Sequence, residues 1–535
     1  MRRNVVILIL IVCFGAFVRL VQLGSNPPSL TWDEAAWGYN AYSLGFDLKD
    51  EFGMFLPSTY LESFGDFKPP VYAYLDIIPV KILGLTEFAV RFPSAFFGIL
   101  TILLSYYLIK ELFGKEKEGY ALLTALFLAI SPWHIMLSRA AFEANVATFF
   151  LLLGLSLFLA GIRKYAYLLP VSAISFVAAM YTFNSPRIVI PILVVILSLV
   201  FAKRLLVLKK MTAVAILIGL ILYIPLLLFL RTPQAKLRFE EVNIFTDIGV
   251  IQRTNLQISN DNNGQLSKII HNRRFAYGVE YLRHFFDNVT PSFLFVKGDG
   301  NPKFSTQDLG SLYLWQYPFI IIGVILLFRR REHKWWLVPV LLIASIVPAA
   351  FARETPHALR VESGILAFQA LTAIGVVWVY GMLKRLKLVF LFGFSAALVF
   401  GFAYFFHSYT AHYPREFSGE WQYGYKEAVT YVNSVKNQYS TVYFTESLGR
   451  PYIYYLFYSR ISPQEFRKNS QVFRESLGFV HVERFDGIHF EKEITKLSQK
   501  GALYIATPTE VVEGAKVLRE FKLLNGMTSL VAYTL

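Results

Sequence analysis

The chain has 535 residues, of which 55% are hydrophobic and only 17% are charged. This excludes an ordinary soluble domain, in which about a quarter of the residues are charged, and indicates a membrane protein. The formal net charge of +15 does not indicate a nucleic-acid-binding protein, because most Lys and Arg residues lie in short clusters beside apolar segments. The chain has one cysteine, Cys13, which excludes an intramolecular disulfide and cysteine-ligated zinc or iron–sulfur sites.

Apolar segments long enough to cross a bilayer recur from residue 5 to residue 406. A spanning helix needs about 20 predominantly apolar residues. The first segment lacks a small-residue cleavage site, so it is interpreted as an uncleaved helix rather than a signal peptide. About eleven transmembrane helices are predicted, at residues 5–23, 88–109, 119–137, 142–162, 165–183, 187–202, 211–230, 312–328, 335–352, 363–382 and 388–406.

The orientation of these helices follows from the positive-inside rule. With a cytoplasmic N-terminus, the loops 24–86 and 231–311 and the C-terminal segment lie outside, and the expected location is a prokaryotic plasma membrane. The short outer loops then carry only Arg139, Arg187, Arg353 and Arg360. The inner segments carry Arg2, Arg3, Lys110, Lys115, Lys117, Arg163, Lys164, Lys203, Arg204, Lys209, Lys210, Arg329, Arg330, Arg331, Lys334, Lys384, Arg385 and Lys387.

Residues 407–535 differ from the rest of the chain, because apolar runs become short and charges return. Strands are predicted at 441–445, 502–506 and 528–535, and a helix at 451–468. The predicted architecture is therefore a polytopic α-helical membrane domain, residues 1–406, followed by a small extracytoplasmic α/β domain, residues 407–535.

The first outer loop opens with Ser-Leu-Thr-Trp-Asp-Glu-Ala-Ala-Trp at residues 29–37. Thr31 and Glu34 have the spacing of a capping box, which is a structural role for Glu34. Asp33 then lies in the first helical turn, where the helix dipole favours its ionised form. An ionised carboxylate at this position accepts a proton from a hydroxyl, although a solvated first-turn acid beside interfacial Trp32 and Trp37 fits the same pattern.

Further along the same loop, residues 64–70 read Phe-Gly-Asp-Phe-Lys-Pro-Pro. Two prolines fix the backbone after Asp66 and Lys68. The functional interpretation is a rigid corner that presents Lys68 to a phosphate. The alternative is an ordinary turn with a surface ion pair, which contributes little stability.

These two elements are followed by further motifs: Arg-Phe-Pro-Ser at 91–94, Ser-Pro-Trp-His at 131–134, Ser-Arg at 138–139 and Thr-Pro-His-Ala-Leu-Arg at 355–360. Together they resemble the GT-C glycosyltransferases, in particular the protein O-mannosyltransferase and aminoarabinose-transferase branch. The resemblance covers residues 1–410, is specific in the first loop and is looser from 165 to 350.

The resemblance implies a membrane glycosyltransferase that moves a sugar from a polyprenyl-phosphate donor to an acceptor hydroxyl at the outer membrane face. Asp33, paired with Glu34 in the catalytic motif, is implied to be the base. Positive groups should neutralise the departing phosphate, and direct in-line displacement implies inversion at the anomeric carbon. The candidate phosphate-binding residues are Lys68, Arg139, His357 and Arg360, and the other site-lining candidates are Asp66, Trp32 and Arg91.

Two features leave alternatives open. Arg139 at a helix end fits a side chain that reaches the lipid headgroups equally well. The basic loop 231–311 fits a polybasic surface near anionic headgroups or a lid over the substrates.

No cofactor is required by this mechanism, and no His, Asp or Glu spacing supports a divalent metal site. A transporter or flippase of lipid-linked saccharides is an alternative function, but it should carry ionisable residues near mid-membrane. A ligase with a pyrophosphate-linked donor is a second alternative. The acceptor is a protein, a lipid or a glycan; apart from the lipid-linked donor and membrane lipids no partner is indicated, and nucleic acid is not expected.

Overall fold

The computed structural model describes residues 2–114, 118–329, 334–475 and 480–535. Lys115, Lys117, Arg330 and Arg331, expected on the inner side, lie outside these ranges. The membrane-domain helices are α1 Arg2–Leu20, α2 Trp32–Asp47, α3 Val71–Leu83, α4 Glu87–Phe113, α5 Glu118–Ile130, α6 Pro132–Arg139, α7 Glu143–Arg163, α8 Leu168–Met180, α9 Pro186–Val200, α10 Ala202–Val207, α11 Lys209–Phe229, α12 Pro233–Val242, α13 Ile248–Asn260, α14 Gln265–Ile270, α15 Arg273–Asp287, α16 Gln316–Arg329, α17 Leu337–Ala350, α18 Ala358–Val361, α19 Ile365–Met382 and α20 Lys387–His407.

An apolar helix lies at each of the predicted transmembrane positions. Within the described ranges, six helical segments are long and apolar enough to span a membrane, or seven if α5 and α6, which meet at a bend of 56°, form one span. The remaining four apolar helices, α8, α9, α16 and α17, are shorter, with 10–17 residues. An apolar helical membrane fold is therefore present, whereas the count of eleven spans stays a prediction.

The Cα positions divide the chain into two compact units. The first unit comprises residues 1–17, 97–137 and 143–405, and the second comprises residues 18–96, 138–142 and 406–535. The first loop and the C-terminal segment thus belong to the same unit. The domain boundary predicted near residue 407 remains a sequence-based expectation.

In the first unit, two helices pack at very short range because glycines face each other's backbone. A Cβ on Gly323 of α16 would lie 2.3 Å from the Leu371 carbonyl oxygen, and one on Gly375 of α19 would lie 2.1 Å from the Phe319 carbonyl oxygen. Small residues allow this approach between helices in a membrane. Around it, Phe127, Ala373 and Val376 form a buried cluster.

The segment 231–311 of the same unit, expected to be a loop, contains helices α12–α15. On α15, Phe275, Val279, Leu282 and Phe286 are exposed, and their spacing places them on one face. The proposed lid role of this segment stays a prediction.

The second unit contains α2, α3 and further elements from the first loop and the C-terminal segment. These are β1 Leu61–Ser63, β2 Asp66–Lys68, α21 Tyr413–Glu416, α22 Tyr425–Val435, β3 Val442–Thr445, α23 Pro451–Ser459, α24 Pro463–Asn469, β4 Gln471–Arg474, β5 Val480–Phe485, β6 Ile488–Glu491, β7 Leu503–Ala506, β8 Lys516–Lys522 and β9 Thr528–Thr534.

The C-terminal strands form a seven-stranded sheet of order β4-β5-β6-β3-β7-β9-β8, in which β3 pairs in parallel with β6 and β7. The predicted strands at 441–445, 502–506 and 528–535 are confirmed as β3, β7 and β9, and the predicted helix 451–468 is two helices, α23 and α24.

Candidate active site

Helix α2 begins with the predicted capping box. The Thr31 hydroxyl accepts a hydrogen bond from the Glu34 backbone N–H at 3.2 Å, and the Thr31 N–H donates to the Glu34 carboxylate at 3.0 Å. This cap fixes the first turn of α2. Asp33 therefore occupies the first turn, where the amino end of the helix stabilises a negative charge.

Asp33 forms an ion pair with Lys68, whose ammonium donates a hydrogen bond to its carboxylate. The Asp33 side chain is 51% exposed, whereas that of Lys68 is only 12% exposed. The Lys68 ammonium also lies 5.4 Å from the ring centroid of Trp37 and 5.5 Å from that of Phe64. The structure thus brings the two main candidates of the first loop together, with the carboxylate open to an incoming molecule.

Lys68 reaches Asp33 from a two-stranded hairpin. β1 and β2 pair antiparallel, with Leu61 opposite Lys68 and Ser63 opposite Asp66. The connecting residues Phe64 and Gly65 both have positive φ, 59° and 81°, as a two-residue primed turn requires. The strand that carries Lys68 precedes the two prolines, and the rigid corner expected to present Lys68 to a phosphate stays a prediction. Asp66 lies next to the turn, where its carboxylate accepts from the Phe67 N–H at 2.9 Å.

Glu34 and Arg91 are both buried, and their contacts fix the start of the helix that carries Asp33. The Arg91 Nε lies 2.9 Å from the Glu34 Oε1, and the Ala141 N–H donates to the same oxygen at 2.9 Å. Arg91 also donates to the Pro27 carbonyl at 2.8 Å. Because the Glu34 carboxylate is surrounded by donors and is 1% exposed, the geometry favours its capping role, and a catalytic role for Glu34 stays a prediction.

Arg139, a candidate for the phosphate, is also buried in the second unit. Its guanidinium donates to the Val18 carbonyl at 2.6 Å and to the Asn26 carbonyl at 2.9 Å, and it lies 5.5 Å from the ring centroid of Tyr409. These contacts hold the end of α1 and the start of the first loop. They account for Arg139 structurally, and its phosphate-binding role stays a prediction.

His357 and Arg360 lie in the first unit, beside the Gly-Asp-Gly-Asn turn at residues 298–301. The Asp299 carboxylate accepts from the Ala358 N–H at 2.7 Å and lies 3.9 Å from His357 Nδ1. Burial raises the pKa of Asp299 to about 6 and lowers the pKa of His357 to about 3, an effect to which the charge of Arg360 adds. His357 is therefore a neutral imidazole at neutral pH, which does not neutralise a phosphate by charge.

Buried acids next to this site were not anticipated. Glu51 follows α2 and is completely buried, and Asn40 donates to its carboxylate at 3.1 Å. Burial, with smaller contributions from the charges of Asp50 and Glu62, raises the pKa of Glu51 to about 8. The only sequence signal for a buried acid here is the Asp50-Glu51 pair before an apolar Phe. The same pattern is equally typical of an exposed loop.

The C-terminal segment also contacts the first loop, which the sequence did not indicate. Gly449 packs on Trp32, the Tyr454 hydroxyl donates to the Leu30 carbonyl at 3.1 Å, and Arg474 pairs with Glu62 through both terminal guanidinium nitrogens, Nη1 and Nη2. These residues are separated from the first loop by most of the chain. No local pattern could have revealed the contacts.

Comparison with solved structures identifies the architecture. An apo structure of ArnT from Cupriavidus metallidurans aligns with a TM-score of 0.58 at 13% identity, over 98% of this chain and 97% of ArnT. A structure of the same protein bound to undecaprenyl phosphate aligns with a TM-score of 0.53. The oligosaccharyltransferase of Archaeoglobus fulgidus, tethered to an acceptor peptide, aligns with a TM-score of 0.52 at 14% identity, over 85% of this chain and 63% of that one.

The fold is that of the GT-C glycosyltransferases. The resemblance drawn from the sequence is confirmed. A family model for dolichyl-phosphate-mannose-protein mannosyltransferases matches residues 67–229 of this chain, a range that begins in the β2 strand carrying Lys68.

Two Bacillus subtilis proteins show local similarity to this chain. "Putative mannosyltransferase YkcB" is 34% identical over 97 residues, which are 18% of this chain and 13% of YkcB. "Putative mannosyltransferase YycA" is 31% identical over 97 residues, 18% of this chain and 14% of YycA. The match therefore spans only about an eighth of the length of these relatives.

Proposed function

We propose that this chain is a membrane glycosyltransferase that moves a sugar from a polyprenyl-phosphate donor to an acceptor hydroxyl at the outer face of the membrane. The observation that carries the proposal is the Asp33–Lys68 pair, an exposed carboxylate and a buried ammonium at the start of α2, in a chain with a GT-C fold. The acceptor is a protein, lipid or glycan hydroxyl.

In this mechanism the acceptor hydroxyl gives its proton to Asp33 while its oxygen attacks the anomeric carbon. The bond between that carbon and the phosphate oxygen breaks, and the phosphate leaves with the electron pair. Lys68 exchanges its Asp33 partner for the phosphate when the donor binds, which frees the carboxylate and neutralises the leaving group. Attack opposite the leaving group inverts the anomeric centre.

The buried pair of Glu34 and Arg91 supports this assignment indirectly. It anchors the cap of α2 and so fixes the position of Asp33. The Asp33 carboxylate itself takes no part in the cap. A site on a rigid element keeps its reacting groups in productive geometry. The mechanism needs no metal, so we expect turnover to persist in EDTA.

Asp33→Asn tests the proposal. The amide keeps the shape of the side chain but cannot take up the proton, so transfer should fall by about 10²-fold or more while the protein stays folded. The assay is release of polyprenyl phosphate from a labelled donor by the purified protein. Asp47→Asn, at the other end of α2 and paired with Arg467, is the matched control and should retain activity.

Near-normal turnover by Asp33→Asn would remove Asp33 as the base. Movement of intact lipid-linked sugar across vesicles without transfer would favour the flippase alternative, and preference for a pyrophosphate-linked donor would favour the ligase alternative. Both outcomes are read from the same purified protein.

A further inference from the structure

The loop between β3 and α23 brings a second cation to the aromatic ring that Lys68 contacts. The Arg450 guanidinium lies 5.8 Å from the centroid of the Phe64 ring, and the Lys68 ammonium lies 5.5 Å from the same centroid. Both residues belong to the second unit. The Phe64 ring therefore joins a cation from the first loop to a cation from the C-terminal segment.

The backbone conformation at Gly449 allows the loop that carries Arg450 to pack closely against Trp32. Gly449 has φ of +128°, and a Cβ at this position would lie 2.6 Å from a ring carbon of Trp32. Only glycine allows both the conformation and the close contact. Because Trp32 precedes Asp33 in the chain, the loop is fixed beside the residues that carry the candidate base, and Pro451 begins α23 directly afterwards.

Arg450 differs in its partners from three other cations of this unit, each of which pairs with a carboxylate. Lys68 pairs with Asp33, Arg467 with Asp47 and Arg474 with Glu62.

Within the described part of the chain, no carboxylate lies within 4.0 Å of the Arg450 guanidinium, whose polar side-chain contact is with His481 Nδ1 at 3.5 Å. The nearby Glu446 carboxylate interacts with the charge of Arg450 without forming such an ion pair. A half-buried guanidinium that no carboxylate contacts directly keeps its capacity to bind an oxyanion.

The charges of the site favour a second cation of this kind. Asp33 and Lys68 neutralise each other, and a donor phosphate adds at least one further negative charge. Desolvating that charge without a compensating cation is costly. A second guanidinium or ammonium beside Lys68 would offset it.

We infer that Arg450, contributed by the C-terminal segment, binds the phosphate of the lipid-linked donor together with Lys68. The inference rests on the proposed function and adds a substrate-binding residue to it. It also assigns a role to the segment after residue 406, which supplies part of the binding site for a polyprenyl monophosphate.

Farnesyl phosphate, a short polyprenyl monophosphate, is the probe. The full-length purified protein is titrated with it in detergent, and binding is followed by tryptophan fluorescence, with farnesol as the uncharged counterpart. We expect Arg450→Ala to raise the Kd for farnesyl phosphate about tenfold, as for the loss of a hydrogen bond to a charged group. Arg450→Lys should show a smaller increase, and binding of farnesol should not change.

Arg519→Ala is the matched control. Arg519 is an exposed arginine of the same unit whose guanidinium also lies over aromatic rings, 5.5 Å from that of Tyr431 and 5.6 Å from that of Phe521. Its replacement should leave both titrations unchanged. If Arg450→Ala does not fold, Arg450→Gln, which keeps most of the side chain, replaces it in the same experiment.

Equal affinity of wild type and the folded Arg450 variants for farnesyl phosphate would overturn the inference and leave the proposed function standing. An equal loss of farnesol and farnesyl phosphate binding would also overturn it, because the residue would then act only through packing. Failure of the wild type to bind farnesyl phosphate would reject the proposed function and this inference together.

Discussion

Lys68 contacts the exposed carboxylate of Asp33 although its own side chain is mostly buried. Its ammonium also contacts the rings of Trp37 and Phe64, so its position does not depend on Asp33 alone. A cation held in this way is preorganised for a phosphate, since little side-chain entropy is lost on binding.

Lys68→Ala should therefore weaken donor binding by about tenfold or more, the effect of removing a hydrogen bond between charged groups. The measurement is the donor KM or the Kd for farnesyl phosphate. Lys68→Arg should keep part of the affinity. The prediction that Arg360→Ala weakens donor binding is checked by the same titration, and unchanged affinity in both alanine variants would contradict the assignment of the phosphate site.

Glu51 should make stability depend on pH. Its folded pKa of about 8 lies above its ordinary value of 4.5, chiefly because of burial. The neutral form is favoured in the fold, so the stability from this group is fully present below pH 4.5 and is lost as the pH rises through 8.

Glu51→Gln stays neutral and keeps an oxygen for Asn40, so at about pH 9 its thermal midpoint should exceed that of the wild type by roughly 2 °C or more. At about pH 5 the two midpoints should be similar. Glu513→Gln, at an exposed position, is the control and should show no such difference. A constant offset across this pH range would contradict the prediction.

At the scale of elements, α2 is the helix on which the site depends, and Gly38 lets it pack. A Cβ at Gly38 would lie 2.5 Å from Val90 Cγ2 and 2.6 Å from Phe457 Cε2. The helix is therefore packed against α4 residues on one side and against α23 on the other, with no room for a methyl group.

Gly38→Ala should destabilise the protein by about 1–3 kcal/mol, the cost of overpacking, although alanine is the better helix former. Gly45→Ala in the same helix is the matched control, because its nearest contact, Ile77 Cγ2, lies at 3.3 Å. Thermal unfolding of the two variants compares the effects. A Gly38→Ala variant as stable as Gly45→Ala would show that the helix has freedom to shift.

Elements with a strong local pattern were predictable from the sequence. Long apolar runs indicated the membrane helices, Thr31 and Glu34 indicated the start of α2, and the short apolar run of β9 indicated a strand. β4 was missed because all four of its residues are exposed, so no apolar period marks it. α15 was missed because its arginines suggested a charged loop, although its apolar residues recur at helical spacing.

The site was predictable only where its residues lie close in sequence or in recognisable motifs. Asp33 and Lys68 were paired through their motifs, and the structure brings them into contact. Arg450 and Glu51 carry no motif, because their environment is created by packing between distant segments. Arg139 was assigned to the phosphate from its predicted place in an outer loop, but its contacts are those of an arginine that holds backbone carbonyls.

At the scale of the whole molecule, the orientation in the membrane is open to a direct test. In a Cys13→Ser background, Lys516→Cys on β8 should react with an impermeant maleimide on intact cells. Lys384→Cys, in a segment expected inside, should react only after the membrane is permeabilised. Both positions are exposed, so a difference in labelling reports the side of the membrane, and the reverse pattern would contradict the predicted orientation.

The hydrogen bond from Tyr454 to Leu30 and the ion pair of Arg474 with Glu62 join residues 424 and 412 positions apart. Such distant contacts form late, because the intervening chain must first be made. During synthesis, the loop bearing Asp33 leaves the ribosome early yet stays without these partners until nearly all hydrophobic helices have entered the bilayer. Premature termination before residue 450 would therefore leave a chain whose first loop never acquires its finished packing.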